Sequence, residues 1–330
     1  MQIGLLGAGR IGAFHARALA HNALVDGLSI ADADVNRAAT LARELNARSQ
    51  PTPEDLVAGG LDAVVIAAPT PAHASLIHLA ADAGLPAFCE KPIALDLETT
   101  DAVLDHVAEA GILLQIGFQR RFDAGYRAAR QEVRSGGIGD LLLVRAATHD
   151  PEPPPEEYLA GSGGIWRDLM IHDFDVLPWV TGRQIVEVYA DGSAGGELFG
   201  RYEDFDRAAA LLRFDGGALG IVSGGRYDPL GYDVRLELLG SHDSIAVGVD
   251  DRIALRSVEP GVAPPKSGYR DFMERFESAY RRELETFLER VRDRGESPCS
   301  GEEARRALCV ALAAERSRRE HRPVRVEEVG

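Results

Sequence analysis

The chain has 330 residues, 45% of them hydrophobic, and its 36 Lys and Arg against 52 Asp and Glu give a formal net charge of −16. That acidity disfavours nucleic acid or an anionic membrane as partner, and no apolar run approaches the ~18 residues of a membrane helix. The length predicts two domains, while three cysteines without metal-ligand spacing (Cys89, Cys299, Cys309) and no charged-then-apolar leader predict a cytoplasmic protein with reduced thiols.

Gln2 to Leu6 reads as a short apolar strand running into Gly7-Ala8-Gly9-Arg10-Ile11-Gly12 and a helix to about His21. This is G-x-G-x-x-G between a strand and a helix, the arrangement that cradles a dinucleotide pyrophosphate. The first glycine permits the turn, the second lets the backbone approach the phosphates, and the third lets helix pack on strand. A second strand, Gly27 to Ala31, ends at Asp32, twenty residues past Gly12 and placed to accept from an adenosine ribose. Asp32 also repels a 2′-phosphate, which favours NAD over NADP, and Arg37 is placed either to stack on adenine or to sit in solvent.

The alternation continues with a strand Leu61 to Ala67, the turn Ala68-Pro69-Thr70-Pro71, and a helix from about Ala72 to Gly84. Ala68, Pro69 and Thr70 would line the cofactor crevice, with His73 beside it at the helix start. Leu85 to Glu90 is a strand, Asp96 to Gly111 an amphipathic helix, and Ile112 to Gly117 a further strand. Strands alternating with helices predict a doubly wound parallel sheet with ligands at the C-terminal strand ends. One of those ends carries Glu90-Lys91-Pro92, where an ammonium group could hold a substrate hydroxyl or a developing alkoxide.

The first domain therefore spans 1–118, and 119–330 forms the second. There a helix is expected to end near Arg134, followed by a strand Leu141 to Ala147 and an extended proline segment from His149 to Pro155. Next comes Gly163-Gly164-Ile165-Trp166-Arg167-Asp168-Leu169-Met170-Ile171-His172-Asp173-Phe174-Asp175, an Asp and a His four apart on an expected helix running to Gly182. At that spacing the two share a helix face, and a carboxylate beside an imidazole can orient a base. Pro178 is expected to kink or end this helix. Val186 to Ala190, Ala208 to Phe214, Ala218 to Ser223, Val234 to Leu239 and Ser244 to Val249 follow as strands without intervening helices. Asp215-Gly216-Gly217 makes a hairpin signal. The second domain is therefore α+β with a largely antiparallel open sheet, closed by helices at Gly268 to Arg294 and Gly301 to Glu320 and a strand at Val324 to Val326.

The chain resembles the glucose–fructose oxidoreductase/inositol dehydrogenase family over nearly its whole length, most closely the inositol 2-dehydrogenase branch. The resemblance is carried by Phe88-Cys89-Glu90-Lys91-Pro92-Ile93, Gly117-Phe118-Gln119-Arg120-Arg121-Phe122-Asp123, Asp150-Pro151-Glu152-Pro153-Pro154-Pro155 and the Ser162 to Asp175 run. It implies NAD-dependent oxidation of a secondary hydroxyl of a cyclic polyol, in the first place myo-inositol to 2-keto-myo-inositol. His172 would be the base, with Lys91 and Asp168 polarising the C–O group. It further implies that Gln119, Arg120, Tyr232 and, more loosely, Glu156 line the polyol pocket, and that Glu90 and Gln119 also border the cofactor. A homodimer or homotetramer covering the open sheet is the implied assembly.

The sequence departs from the family at three places. Gln119 stands where Asn or Met is common, Leu169 and Met170 replace a small hydroxylated residue, and Ser223-Gly224-Gly225-Arg226 replaces an Asn-Ser-Arg run. These leave open another sugar, an anhydrosugar or a different cyclitol as substrate. A non-catalytic dinucleotide sensor is the reading from another class, which the presence of Lys91, Asp168 and His172 disfavours. No metal is expected, since Asp168 and His172 have no third ligand at suitable spacing.

Overall fold

Strands with no polar face organise the first part of the chain. The computed structural model describes residues 1–330, which divide into two compact units. One is Met1–Gln119 with Tyr280–Arg305, the other Arg120–Ala279 with Arg306–Gly330. The first unit contains β1 (Gln2–Leu6), α1 (Arg10–Ala20), β2 (Gly27–Ala31), α2 (Val35–Leu45), β3 (Arg48–Ser49) and α3 (Pro53–Val57). It continues with β4 (Ala63–Ile66), α4 (His73–Asp82), β5 (Ala87–Glu90), α5 (Leu97–Ala110) and β6 (Leu114–Gly117). Strands β4, β5 and β6 are buried at every position, as expected of a parallel sheet with both faces covered. The order is β3-β2-β1-β4-β5-β6, all parallel. The strand order therefore reverses between β1 and β4, where such sheets bind ligands.

The helices of this unit start in two ways. Asp34 caps α2 by accepting from the amides of Asn36 and Arg37, Thr52 caps α3, and Asp96 caps α5 through Thr99. Helix α1 begins with no side-chain cap, whereas α4 continues from a tight turn in which the Thr70 carbonyl takes the His73 amide. The short α2–β3–α3 stretch was not anticipated. Its amphipathic face is only Ala38, Leu41 and Ala42, too slight to stand out in the sequence.

The second unit begins with α6 (Ala124–Arg134), β7 (Leu141–His149), α7 (Glu156–Ser162), α8 (Gly164–Asp168), α9 (Ile171–Thr181) and β8 (Ile185–Ser193). It goes on through α10 (Glu197–Gly200), β9 (Arg207–Phe214), β10 (Leu219–Gly225), β11 (Asp233–Gly240) and β12 (Ser244–Val247). Helices α11 (Phe272–Asp293) and α12 (Gly301–Glu320) and strand β13 (Val324–Arg325) complete the chain. Its sheet runs β12-β11-β7-β10-β9-β8-β13 and is antiparallel except where β7 meets β10. Strand β9 alternates exposed and buried along its length, so one sheet face is packed and the other open. Pro178 lies inside α9, which continues to Thr181 and stops at left-handed Gly182. The break expected at the proline falls instead at Leu169 and Met170.

The second part of the chain was expected to form one continuous domain from residue 119. Tyr280–Arg305 instead belongs to the first unit. There Leu284, Phe287 and Leu288 join Ile3, Leu5, Val65 and Phe88 in one apolar core, and each fully buried side chain of this kind contributes roughly 1.5–3 kcal/mol. No helix is long and apolar enough to cross a membrane, and the three cysteines are free and buried.

Candidate active site

In the first unit the candidate cofactor residues lie on loops at the C-terminal ends of the strands. Gly7 has φ +103°, and a Cβ there would lie 2.6 Å from the Ala67 backbone, so only glycine fits. A Cβ on Gly12 would fall on the Gly7 carbonyl oxygen, whereas one on Gly9 would meet nothing within 4 Å. The first and third glycines are thus demanded by the fold, and the second leaves open space beside the uncapped start of α1. Arg10 and Ile11 form the first turn of that helix. Asp32, at the end of β2, accepts from the Ala8 amide at 2.6 Å and the Asp34 amide at 2.8 Å. The half-exposed Arg37 guanidinium stands 3.7 Å from Asp32. These features fit a dinucleotide: a helix start without a side-chain cap and open space for a pyrophosphate, with a carboxylate one strand away.

His73 behaves differently from expectation. It is 1% exposed, with one ring nitrogen 2.7 Å from the Pro92 carbonyl and the other 2.8 Å from that of Ala68. Burial holds its pKa below the ordinary value, partly offset by the two carbonyls and Glu90. Both nitrogens are occupied by backbone, so His73 joins the Ala68-Pro69-Thr70 turn to the loop after Lys91 instead of offering a nitrogen to a ligand. Glu90 has its own buried partner, since His15 Nε2 lies 2.6 Å from its carboxylate. The half-buried Lys91 directly follows. Gln119 is 2% exposed, and its side-chain oxygen is buried without a hydrogen-bond partner. An orphaned acceptor of this kind fits a ligand hydroxyl or amide.

In the second unit Asp168 and His172 do not share one continuous helix. Asp168 ends α8, and Leu169 and Met170 carry the chain into α9. The Met170 amide reaches back to Ile165, and the His172 amide turns to Leu169 at 3.4 Å. The physical reason is packing. Leu169 and Met170 are buried, and a Cβ on Gly224 would come within 2.7 Å of the Met170 side chain. Large residues after Asp168 and glycines at the end of β10 therefore compensate one another, which accounts for two of the departures noted in the sequence.

The Asp168 carboxylate is held at both oxygens. The Tyr158 hydroxyl donates to Oδ1 at 2.8 Å, and Arg226 Nη1 donates to Oδ2 at 2.8 Å. Arg226 is 2% exposed and also stands 3.7 Å from Asp150. Burial opposes its charge, but Asp168, Asp150 and Asp204 more than offset this and raise its pKa. The neighbouring carboxylate of Asp168, and then burial, push the Tyr158 phenol well above its usual range. It is thus a hydrogen-bond donor at any working pH.

Further acids of the same segment are also committed. Arg120 donates to Asp173 at 2.7 Å and to Thr148 at 2.9 Å, while Thr148 donates to Asp173 at 2.7 Å. Arg121 forks onto Asp175 at 2.9 and 2.5 Å. Arg120, expected to line the polyol pocket, is thus a fully buried guanidinium with only Nε lacking a partner. Tyr232 is buried edge-on to Phe276. Glu156 lies at the surface, where Arg201 and the Tyr202 hydroxyl meet it at 3.1 and 3.2 Å. Tyr158 and Thr148 escaped the sequence reading, and Arg226 entered it only as the end of the altered Ser223-Gly224-Gly225-Arg226 run. The pairs Arg120-Arg121 and Asp173/Asp175 were a usable signal, but nothing local marks Tyr158 or ties Arg226 to Asp168. His149, Asp228 and Asp233 bring three donor atoms within 4.8 Å of one another. Arg235 already forks onto both Asp233 oxygens at 2.8 and 2.9 Å, supplying the cation there.

Known proteins resemble the chain along its whole length. Residues 1–118 match the family model described as an oxidoreductase family with an NAD-binding Rossmann fold. Residues 126–246 match the GFO/IDH/MocA C-terminal domain. A myo-inositol dehydrogenase of Streptomyces leeuwenhoekii is 39% identical over 96% of this chain and 97% of its own. A myo-inositol 2-dehydrogenase of Thermotoga maritima is 37% identical over 100% and 99%. The crystal structure of a scyllo-inositol dehydrogenase from Lactobacillus casei with bound NAD(H) and scyllo-inositol superposes with a TM-score of 0.90 at 28% identity, covering 99% of both chains. With one family model on each of its two sheets and full-length relatives well above 30% identity, the chain belongs to the GFO/IDH/MocA family of NAD-binding oxidoreductases.

Proposed function

We propose that the protein oxidises a secondary hydroxyl of a cyclic polyol with NAD, in the first place myo-inositol to 2-keto-myo-inositol. What supports this most is the full-length likeness to inositol dehydrogenases, with Lys91, Asp168 and His172 all at their motif positions. Residues 1–118, with the Tyr280–Arg305 segment packed into their core, are the NAD-binding domain in this reading, and the rest of 119–330 binds substrate and forms the oligomer. Gly7, Gly9, Gly12 and Asp32 hold the dinucleotide, whose nicotinamide, when bound, takes up the hydride. His172 accepts the hydroxyl proton, since an imidazole titrates near neutrality. Lys91 supplies the positive charge that the developing alkoxide needs. Asp168, held by its two donors, orients the reacting hydroxyl and the base, and the orphan oxygen of Gln119 takes a ligand donor.

The decisive measurement is NADH formation when myo-inositol, scyllo-inositol, glucose or levoglucosan is added with NAD. Turnover of a cyclitol is expected. Turnover of glucose or levoglucosan alone would instead favour a related sugar or anhydrosugar, a reading that the altered Gln119 and the Leu169–Met170 corner keep in play. NAD binding without reduction by any polyol would overturn catalysis.

The protein is further proposed to be a cytoplasmic homodimer or homotetramer. The open face of the second sheet carries one row across five strands: Tyr189, Leu211, Ile221, Arg145 and Glu237. Leu211, Ile221 and Tyr189 are 55, 44 and 40% exposed, and an exposed apolar patch of this kind marks a contact surface. Leu211→Lys with Ile221→Lys should shift sedimentation to the monomer. An unchanged oligomer would place the interface elsewhere.

A further inference from the structure

From the two hydrogen bonds to Asp168 we infer that Tyr158 and Arg226 are positioning residues that act on the reaction only through that carboxylate. The inference rests on the role given to Asp168 above. A carboxylate that must orient other groups needs a fixed plane, and two donors on different oxygens fix it. Tyr158 reaches Oδ1 from α7, and Arg226 reaches Oδ2 from the end of β10, each at 2.8 Å. Both supports come from elements other than the one bearing Asp168, so the carboxylate plane does not depend on the broken helix beneath it.

The two supports are not equivalent. Arg226 is nearly inaccessible, its amide is bonded to the Asp206 carbonyl at 2.8 Å, and Asp150 and Asp204 are its other anionic neighbours. Its Nε and Nη2 have no hydrogen-bond partner in the fold, so its one strong contact is Asp168. Replacing it removes charge from a buried acidic cluster and endangers the fold. Tyr158 is 45% exposed on a seven-residue helix. Losing its hydroxyl therefore costs the fold little, yet deprives Oδ1 of a donor. Charged groups beside the Asp168–Arg226 pair that could mask the effect are Asp150 at the end of β7 and Asp204 ahead of β9.

The test is a cycle of Tyr158→Phe and Asp168→Asn, measured with NAD and whichever polyol the wild type oxidises. A hydrogen bond to a charged group corresponds to roughly ten- to a hundredfold. Tyr158→Phe should therefore lower kcat about tenfold or more, with KM and NAD affinity little changed. The acid limb of the kcat–pH profile should move to higher pH, because a carboxylate short of a donor protonates more readily. In the Asp168→Asn background the same change should add less than about twofold, since residues acting through one group are not additive. Arg226→Lys, which keeps the charge but not the reach and direction of the Nη1 donor, should give an intermediate loss with a wild-type unfolding curve. Unaltered kcat and pH profile in Tyr158→Phe, or an equal further loss in the Asp168→Asn background, would overturn the inference. A fully active Asp168→Asn variant would overturn the underlying reading of Asp168 itself, which separates the two failures.

Discussion

The glycine loop of the first unit and the Asp168 corner of the second reach a defined geometry by opposite means. Around Gly7, Gly9 and Gly12 the site consists of missing side chains, an uncapped helix start and one carboxylate, and the backbone does the positioning. Around Asp168, three carboxylates of one segment (Asp168, Asp173 and Asp175) are each pinned by an arginine from elsewhere in the chain. A backbone site is local, because strand, turn and helix are consecutive in sequence. A side-chain site of this kind is assembled over separations of more than fifty residues, and its stability is inseparable from its chemistry.

Substitutions can pull that contrast apart. The largest effect is expected at His172, where alanine should slow turnover by roughly 10²–10⁴-fold, the usual worth of a general base, while NAD binding measured by calorimetry is retained. Near-normal turnover would remove His172 from the base role. Next in size comes stability in the second unit. Asp173→Ala leaves the Arg120 guanidinium buried with only Thr148, and breaking such a pair costs about 3–5 kcal/mol. Chemical denaturation should show this loss, and a change below about 1 kcal/mol would mean that solvent reaches Arg120.

The glycines give a finer test. Gly12→Ala drives a methyl group onto the Gly7 carbonyl, and the backbone shift should cost about 1–3 kcal/mol of stability along with NAD affinity. Gly9→Ala should leave the unfolding curve unchanged, since its methyl meets nothing, yet weaken NAD because the space it fills is the one expected for the pyrophosphate. Equal loss of stability in both variants would erase the distinction between fold-demanded and ligand-demanded glycines.

The smallest effect is expected at Tyr126, a buried hydroxyl without a hydrogen-bond partner, whose pKa burial pushes up to about 12. The raised value favours the neutral phenol in the folded state. The associated stability is therefore fully present below the unfolded value near 10 and is lost as pH rises toward 12. Tyr126→Phe should be neutral to slightly stabilising at pH 7 and should flatten the alkaline fall in melting temperature. A steep loss of stability at pH 7 would show that the hydroxyl has a partner after all.

Much of this protein was decided by sequence alone. The parallel sheet, the glycine loop with Asp32, the strand preceding Lys91 and the antiparallel second sheet follow from hydrophobic period, turn residues and N-caps, all of which act within a few residues. The Asp168–His172 spacing was also visible, but its geometry was not. The break at Leu169 and Met170 exists because Met170 fills the space that Gly224 vacates on a strand more than fifty residues away. Likewise, only folding puts Tyr158 and Arg226 on the two oxygens of one carboxylate, turns both nitrogens of His73 onto backbone carbonyls, and sends Tyr280–Arg305 back into the first core. Burial forces these choices: a charged or polar group removed from water must find a partner wherever the packed chain supplies one, and no local pattern in the sequence says where that will be.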